Sequence, residues 1–152
     1  RAFKSVAPVF SPGTAIAINQ QSQPSDFEQF PHILGAGPLL ITQGKIVLDP
    51  QREGFNRNFI EGKAPRSIFG LTPSGQIKLT TIQDRVGGRG PTLAETAQIL
   101  QKLGCSEALN LDGGSSSSLY LGGQLINRHP RTAARINNAL GVFLTPPDPN
   151  RP

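Results

Sequence analysis

"TLAETAQILQKLGCSEALNLDGG", residues 92–114, changes periodicity partway along and so decides the fold class. In its first half Leu93, Ala97, Leu100 and Leu103 fall on one stripe at helical spacing. Thr92 and Glu95 supply a T-x-x-E capping box, Pro91 precedes the cap, Lys102 suits the last turn, and Gly104 can close it. The spacing predicts a helix over about 92–103. The second half, "EALNL", reads as a buried strand that runs straight into Asp112, two glycines and four serines. Asp112 is either a carboxylate at work on the edge of a sheet or the first residue of a tight turn, and both readings stand at this point.

Outward from this stretch the chain reads as short strands and turns. "TAIAI" (14–18) is expected to be a strand, followed by a polar loop. Residues 39–42 and 46–48 form one hairpin signal around "QG", and 66–82 another around "TPSG". Residues 50–65 show no period and read as a long loop. Beyond Asp112, "SSLYL" (117–121), "QLI" (124–126) and "NALGVFL" (138–144) read as strands, those around 117–121 and 138–144 in the same sheet as 109–111. The tail "TPPDPNRP" is too rich in proline for a packed element. The expected class is α+β, a mixed or mainly antiparallel sheet with one helix packed on it. A single domain over 1–144 and a proline-rich tail over 145–152 are expected.

Composition narrows the function classes. The 17 Gly and 14 Pro in 152 residues suit a turn-rich domain better than a helical bundle. The formal charge of +5 admits anionic partners, but the charges are dispersed; Arg128, Arg131 and Arg135 form a modest cluster that reads as a solvated basic face. With one Tyr, no Trp and scattered Phe there is no stacking platform, so no nucleic-acid partner is expected. No apolar run approaches the roughly 20 residues of a membrane span. A lone cysteine, Cys105, excludes an internal disulfide and reads as a small buried thiol. Neither His32 nor His129 shows metal-ligand spacing with it, and Asp84, Asp112 and Glu61 match no cation pattern, so no metal and no cofactor are expected. The chain opens at Arg1 and contains no Met, which suggests a processed piece.

The two glycines after Asp112 permit positive φ or close approach of a ligand, and successive N–H groups with serine hydroxyls can cradle an anion. The stretch is neither a Walker loop nor a G-x-S-x-G elbow.

"ALNLDGGSSSSLYL" (108–121) resembles the signature of the phosphodiester glycosidase family, which occurs in mammals and in many bacterial proteins. "GAGPLLITQGKIVLD" is similar to that family's glycine–proline hairpin and "APRSIFGLTPSGQIKLTTI" to its arginine-led strand pair; "GPTLAETAQILQKLGCSEALNLDGG" and "NNALGVFL" resemble its helix-to-signature segment and closing strand. Together these cover most of 33–144 in order. Three departures stand out. Ser115 replaces a usual third glycine, Ser67 and Ile68 follow Arg66 where the family has a threonine and a small residue, and an asparagine–glycine–glycine–aromatic motif is absent. The expected chain is therefore a bacterial member that lacks the N-terminal part of the domain, with that part as a partner.

The resemblance implies a hydrolase that cleaves a sugar-1-phosphodiester, such as one of N-acetylglucosamine, to free sugar and phosphomonoester. The alternative is a non-catalytic module that grips anionic glycans. Either implies a glycan or sugar-phosphate partner, and an exported protein, periplasmic or extracellular. Asp112 is the expected catalytic carboxylate, as acid, nucleophile or base. Arg66 matches the motif arginine and suits a grip on two phosphate oxygens, against the alternative of a surface ion pair. Glu95 matches the family's helix-start glutamate, although the capping box accounts for it without catalysis. Gly113 and Gly114 leave room for substrate, and Ser116 and Ser117 match the family's two serines, one of them expected to face the site. Asn110 is expected to face away from Asp112 and to orient the turn, and Asn138 matches a near-terminal asparagine. Gly37 and Pro38 are expected to shape their hairpin.

Overall fold

Local chemistry builds the helix first. Thr92 caps it by accepting from the Glu95 N–H at 3.2 Å, and the Glu95 carboxylate accepts from the Thr92 N–H at 2.8 Å, so both arms of the capping box are present. Helix α2 runs Leu93–Lys102, and Gly104 follows at φ +80°. Leu93, Ala97 and Leu100 are fully buried, whereas Leu103, just past the last turn, is half exposed.

The computed structural model describes residues 10–17, 25–31 and 33–143. It separates into two units, Arg1–Gly35 and Ala36–Pro152. In the first, Ser25–Gln29 forms a 3₁₀ helix, a local element within the expected polar loop. The expected strand at 14–18 is absent over 14–17, which are exposed and irregular, and residue 18 lies outside the described residues.

The second unit holds a five-stranded sheet in the order β2-β1-β5-β3-β4, every pairing antiparallel. The strands are β1 (Leu39–Thr42), β2 (Lys45–Ile46), β3 (Arg66–Leu71), β4 (Ile77–Ile82) and β5 (Glu107–Asn110). Both expected hairpins are present, as β1–β2 and β3–β4. Helix α2 packs over β1 and β2, and the core joins Leu40, Ile41 and Ile68 to the buried stripe of the helix, with Cys105 and Ala108. This is the α+β architecture expected.

In this unit three elements differ from expectation. The loop over 50–65 contains a short helix, α1 (Arg57–Glu61), which Asn56 caps by accepting from the Phe59 N–H at 2.9 Å. Five residues are too few to show a period. Of the expected strand 117–121 only β6 (Tyr120–Leu121) forms, and it pairs with β7 (Gln124–Leu125) in a separate ladder. Residues 138–143 form no strand and stay exposed, Phe143 at 90%. Apolar, β-prone residues mark a strand only where a partner edge is available, and none of the described strands pairs with this one.

Candidate active site

Strand β5 delivers Asp112 to one end of the sheet, where Arg66 begins β3 and Ile82 ends β4. The chain leaves β5 still bonded to β3, with the Leu111 N–H on Ser67 O at 2.8 Å and the Gly114 N–H on Pro65 O at 2.7 Å. Gly113 lies so close to that strand that a Cβ would stand 2.7 Å from Pro65 O. Gly114 takes φ +62° and opens a 3₁₀ turn, Gly114–Ser116. The glycines are thus needed for backbone contact with β3, in addition to any room they leave for substrate.

The serines divide by role. Ser117 is fully buried, and its hydroxyl donates to Arg66 O at 3.2 Å while accepting from Ser67 Oγ at 2.9 Å and Gln83 Nε2 at 3.3 Å. It is a structural knot between the turn and β3. Ser116 is half-buried and its hydroxyl makes no hydrogen bond among the described residues.

Arg128 clamps the same turn. Its guanidinium donates to Gly114 O at 2.8 Å, Ser115 O at 2.7 Å, Thr132 O at 3.0 Å and Gln83 Oε1 at 3.2 Å. The sequence pattern puts Arg128 on a solvated basic face with Arg131 and Arg135. Those two are exposed, but Arg128 is half-buried, and its Nε is buried without an acceptor. Asn127 adds a bond to Ser117 O at 3.0 Å. An open hollow of about 480 Å³ lies beside the turn, lined by Gln83, Asp84, Ser115, Asn127, Arg128 and others. Asp112 does not line it.

Among these fixed groups Asp112 is exposed, and its carboxylate makes no hydrogen bond or ion pair with the described residues. It does not cap its own turn. Arg66 behaves oppositely: it is 3% exposed, and its guanidinium donates to Gly62 O at 2.6 Å and Pro91 O at 3.4 Å above the Phe59 ring. Burial lowers its pKa. The structure shares it with backbone carbonyls and with no carboxylate, so it is not a surface ion pair, and its side chain faces the core with Ile68. Glu95 is exposed and closes the helix cap.

Asn110 was expected on the far face from Asp112. Only Leu111 separates them, so continued alternation would put both on one side rather than on opposite ones, and β5 ends at Asn110. Asn110 is buried, and its amide donates to Gly37 O at 3.0 Å and Leu111 O at 2.9 Å, fastening the Gly37–Pro38 segment to the strand that enters the turn; its Oδ1 is left without a donor. No hydrogen bond ties the exposed Asn138 to the turn among the described residues. Cys105 is buried, and burial pushes its thiol pKa up, which disfavours a nucleophilic thiolate. No group of three or more His, Cys, Asp or Glu that could hold a metal occurs among the described residues, and no helix there is long and apolar enough to cross a membrane.

An antiparallel sheet backed by a capped helix, with an aspartate presented by a clamped glycine–serine turn, defines an α+β domain with a candidate site at the end of a central strand. The chain belongs to the phosphodiester glycosidase family, whose model matches residues 2–143. It is 30% identical over 105 residues to the N-acetylglucosamine-1-phosphodiester alpha-N-acetylglucosaminidase of Bos taurus, covering 63% of this chain and 20% of that protein. A crystal structure of a hypothetical protein from Synechocystis is 49% identical with a TM-score of 0.72, covering 83% of this chain and 25% of that one. The chain spans a quarter or less of either relative's length.

Proposed function

We propose that the chain forms part of a hydrolase that cleaves a sugar-1-phosphodiester to free sugar and phosphomonoester, with Asp112 as a catalytic carboxylate. One observation carries this reading beyond family membership: the turn is fixed by Arg128, Ser117 and Pro65 O, while the Asp112 carboxylate is left without a partner among the described residues. A fixed backbone holding an unengaged acid is what acid–base or nucleophilic work at an anomeric carbon requires. In this reading Ser116, whose hydroxyl is free of hydrogen bonds among the described residues, and the hollow beside Ser115 and Asn127 meet sugar hydroxyls or phosphate oxygens. Arg66 acts in this reading through the backbone of the β3 start, on which the turn rests. A bacterial, exported protein accompanies the reading, since such substrates belong mostly to glycans outside the cytosol.

A specific observation favours the second reading, an anionic-glycan-binding module. Glycosidases usually employ two carboxyl groups, whereas here Glu95 closes a helix cap and Asp84 accepts from the Gly90 N–H at 2.7 Å. An aryl phosphodiester of N-acetylglucosamine separates the two. Release of the sugar with a phosphomonoester supports hydrolysis; saturable binding without release overturns it.

A further inference from the structure

Between the end of β4 and the outer face of α2 lies a second hollow of about 320 Å³, which shares Gln83 with the hollow beside the Asp112 turn. Four cations line it: Lys63, Arg85, Arg89 and Lys102. None of them makes an ion pair or a side-chain hydrogen bond among the described residues. The single carboxylate on the lining, Glu95, is held on the Thr92 N–H by the helix cap, and Lys63 and Arg85 act on it electrostatically without forming an ion pair. Gln98 adds an amide.

The loop that carries two of the cations is itself constrained. Gly88 N–H closes on Arg85 O at 3.1 Å, and Asp84 accepts from the Gly90 N–H. Arg85 folds back over Gly88 so closely that a Cβ there would stand 2.7 Å from its Nε. Like charges gathered at one concave place repel unless an anion joins them. Asp112 does not line this hollow, so its four cations are not accounted for by the phosphodiester on which Asp112 would act.

We propose that this hollow is a subsite for a phosphate-class dianion, distinct from the group on which Asp112 acts. Resting on the hydrolase reading above, the dianion is carried by the substrate, which is then a glycan bearing more than one phosphate-class group. Guanidinium and ammonium donors suit its three oxygens, and the exposure of all four side chains sets a weak, salt-sensitive affinity.

The test titrates the ¹⁵N-labelled chain with inorganic phosphate against sodium chloride at equal ionic strength. Saturable shifts are expected at Lys63, residues 85–90 and Glu95–Gln98, with binding about tenfold weaker in R85Q/R89Q. Both positions are exposed, so that variant should keep its far-ultraviolet spectrum and Tm. Shifts that never saturate, that centre on Arg128, or that are unchanged in the double variant overturn the subsite. A second measurement compares KM for the aryl phosphodiester with and without a phosphomonoester on the sugar. A lower KM for the phosphorylated form, lost in R85Q/R89Q, is expected; phosphate binding with no KM difference makes this a free-phosphate site and overturns the substrate assignment. Should neither substrate turn over, the hydrolase reading fails, and the titration still decides whether the hollow is an anion site.

Discussion

Glu95, in the first turn of α2, and Asp112, two residues past β5, are both exposed carboxylates at the ends of neighbouring elements. The fold uses them in opposite ways. Glu95 completes a reciprocal cap, and the backbone N–H of Thr92 is the chief reason its pKa is lowered. Around Asp112 the structural work falls to others: Pro65 O takes the Gly114 N–H, Ser117 takes Arg66 O, and Arg128 takes the carbonyls of Gly114 and Ser115. A carboxylate that supports its own backbone has little left for a substrate. One whose backbone is supported by its neighbours is available for chemistry.

The largest expected effect breaks this comparison if it fails. Asp112→Asn keeps shape but removes charge and proton transfer, so turnover of the aryl phosphodiester should fall by at least roughly 100-fold. Its Tm should stay within a degree or so of the parent's, since no bond of that side chain holds the fold. Retained turnover with a lowered Tm would make Asp112 the structural residue.

The supports come next. Gly113→Ala places a methyl group against Pro65 O, and overpacking of this kind costs about 1–3 kcal/mol. A Tm lower by several degrees is expected, with turnover reduced because the turn must lift from β3. Arg128→Ala removes four hydrogen bonds from a half-buried guanidinium and should lower both Tm and kcat, whereas Arg131→Ala on the exposed surface should stay within about 0.5 kcal/mol. Equal effects at 128 and 131 would return Arg128 to the solvated face.

This pairing also shows where sequence was legible. Helix α2 and the 66–82 hairpin rest on signals a few residues apart, a T-x-x-E box and alternation around a turn, and both formed. Helix α1 was hidden because its cap and body span only Asn56 to Glu61. The apolar run at 138–144 reads as a strand because propensity is local, while the partner it needs is not; 138–143 form none and 144 lies outside the described residues. At the site, the residue types of the turn were visible, but its clamp was not. Arg128 lies 14 residues from Gly114 and Gln83 lies 45 from Arg128, and neither belongs to a motif. Arg66 was visible as a motif residue, but burial against Phe59 and two carbonyls depends on α1 and the helix entrance, which only the folded chain brings to it.

The smallest effect sharpens the Glu95 half of the comparison. Its carboxyl is held below the usual glutamate range, first by the Thr92 backbone N–H, then by the Thr92 side chain, with Lys63 and Arg85 adding a little, against a small opposing effect of burial. The folded chain therefore binds that proton less readily than the unfolded chain. The stabilisation is fully present above the ordinary glutamate range, near pH ~4.3, and is lost as pH falls through the lowered folded value. Glu95→Ala should accordingly lower Tm at pH 7, and the gap from the parent should narrow toward pH 3. Glu95→Gln keeps an acceptor for the Thr92 N–H, so it should retain most of the cap without the pH dependence. It should also retain turnover within a few-fold at pH 7. Loss of turnover in Glu95→Gln at unchanged Tm would show that the helix-cap glutamate serves the reaction as well, and that the two carboxylates work as a pair.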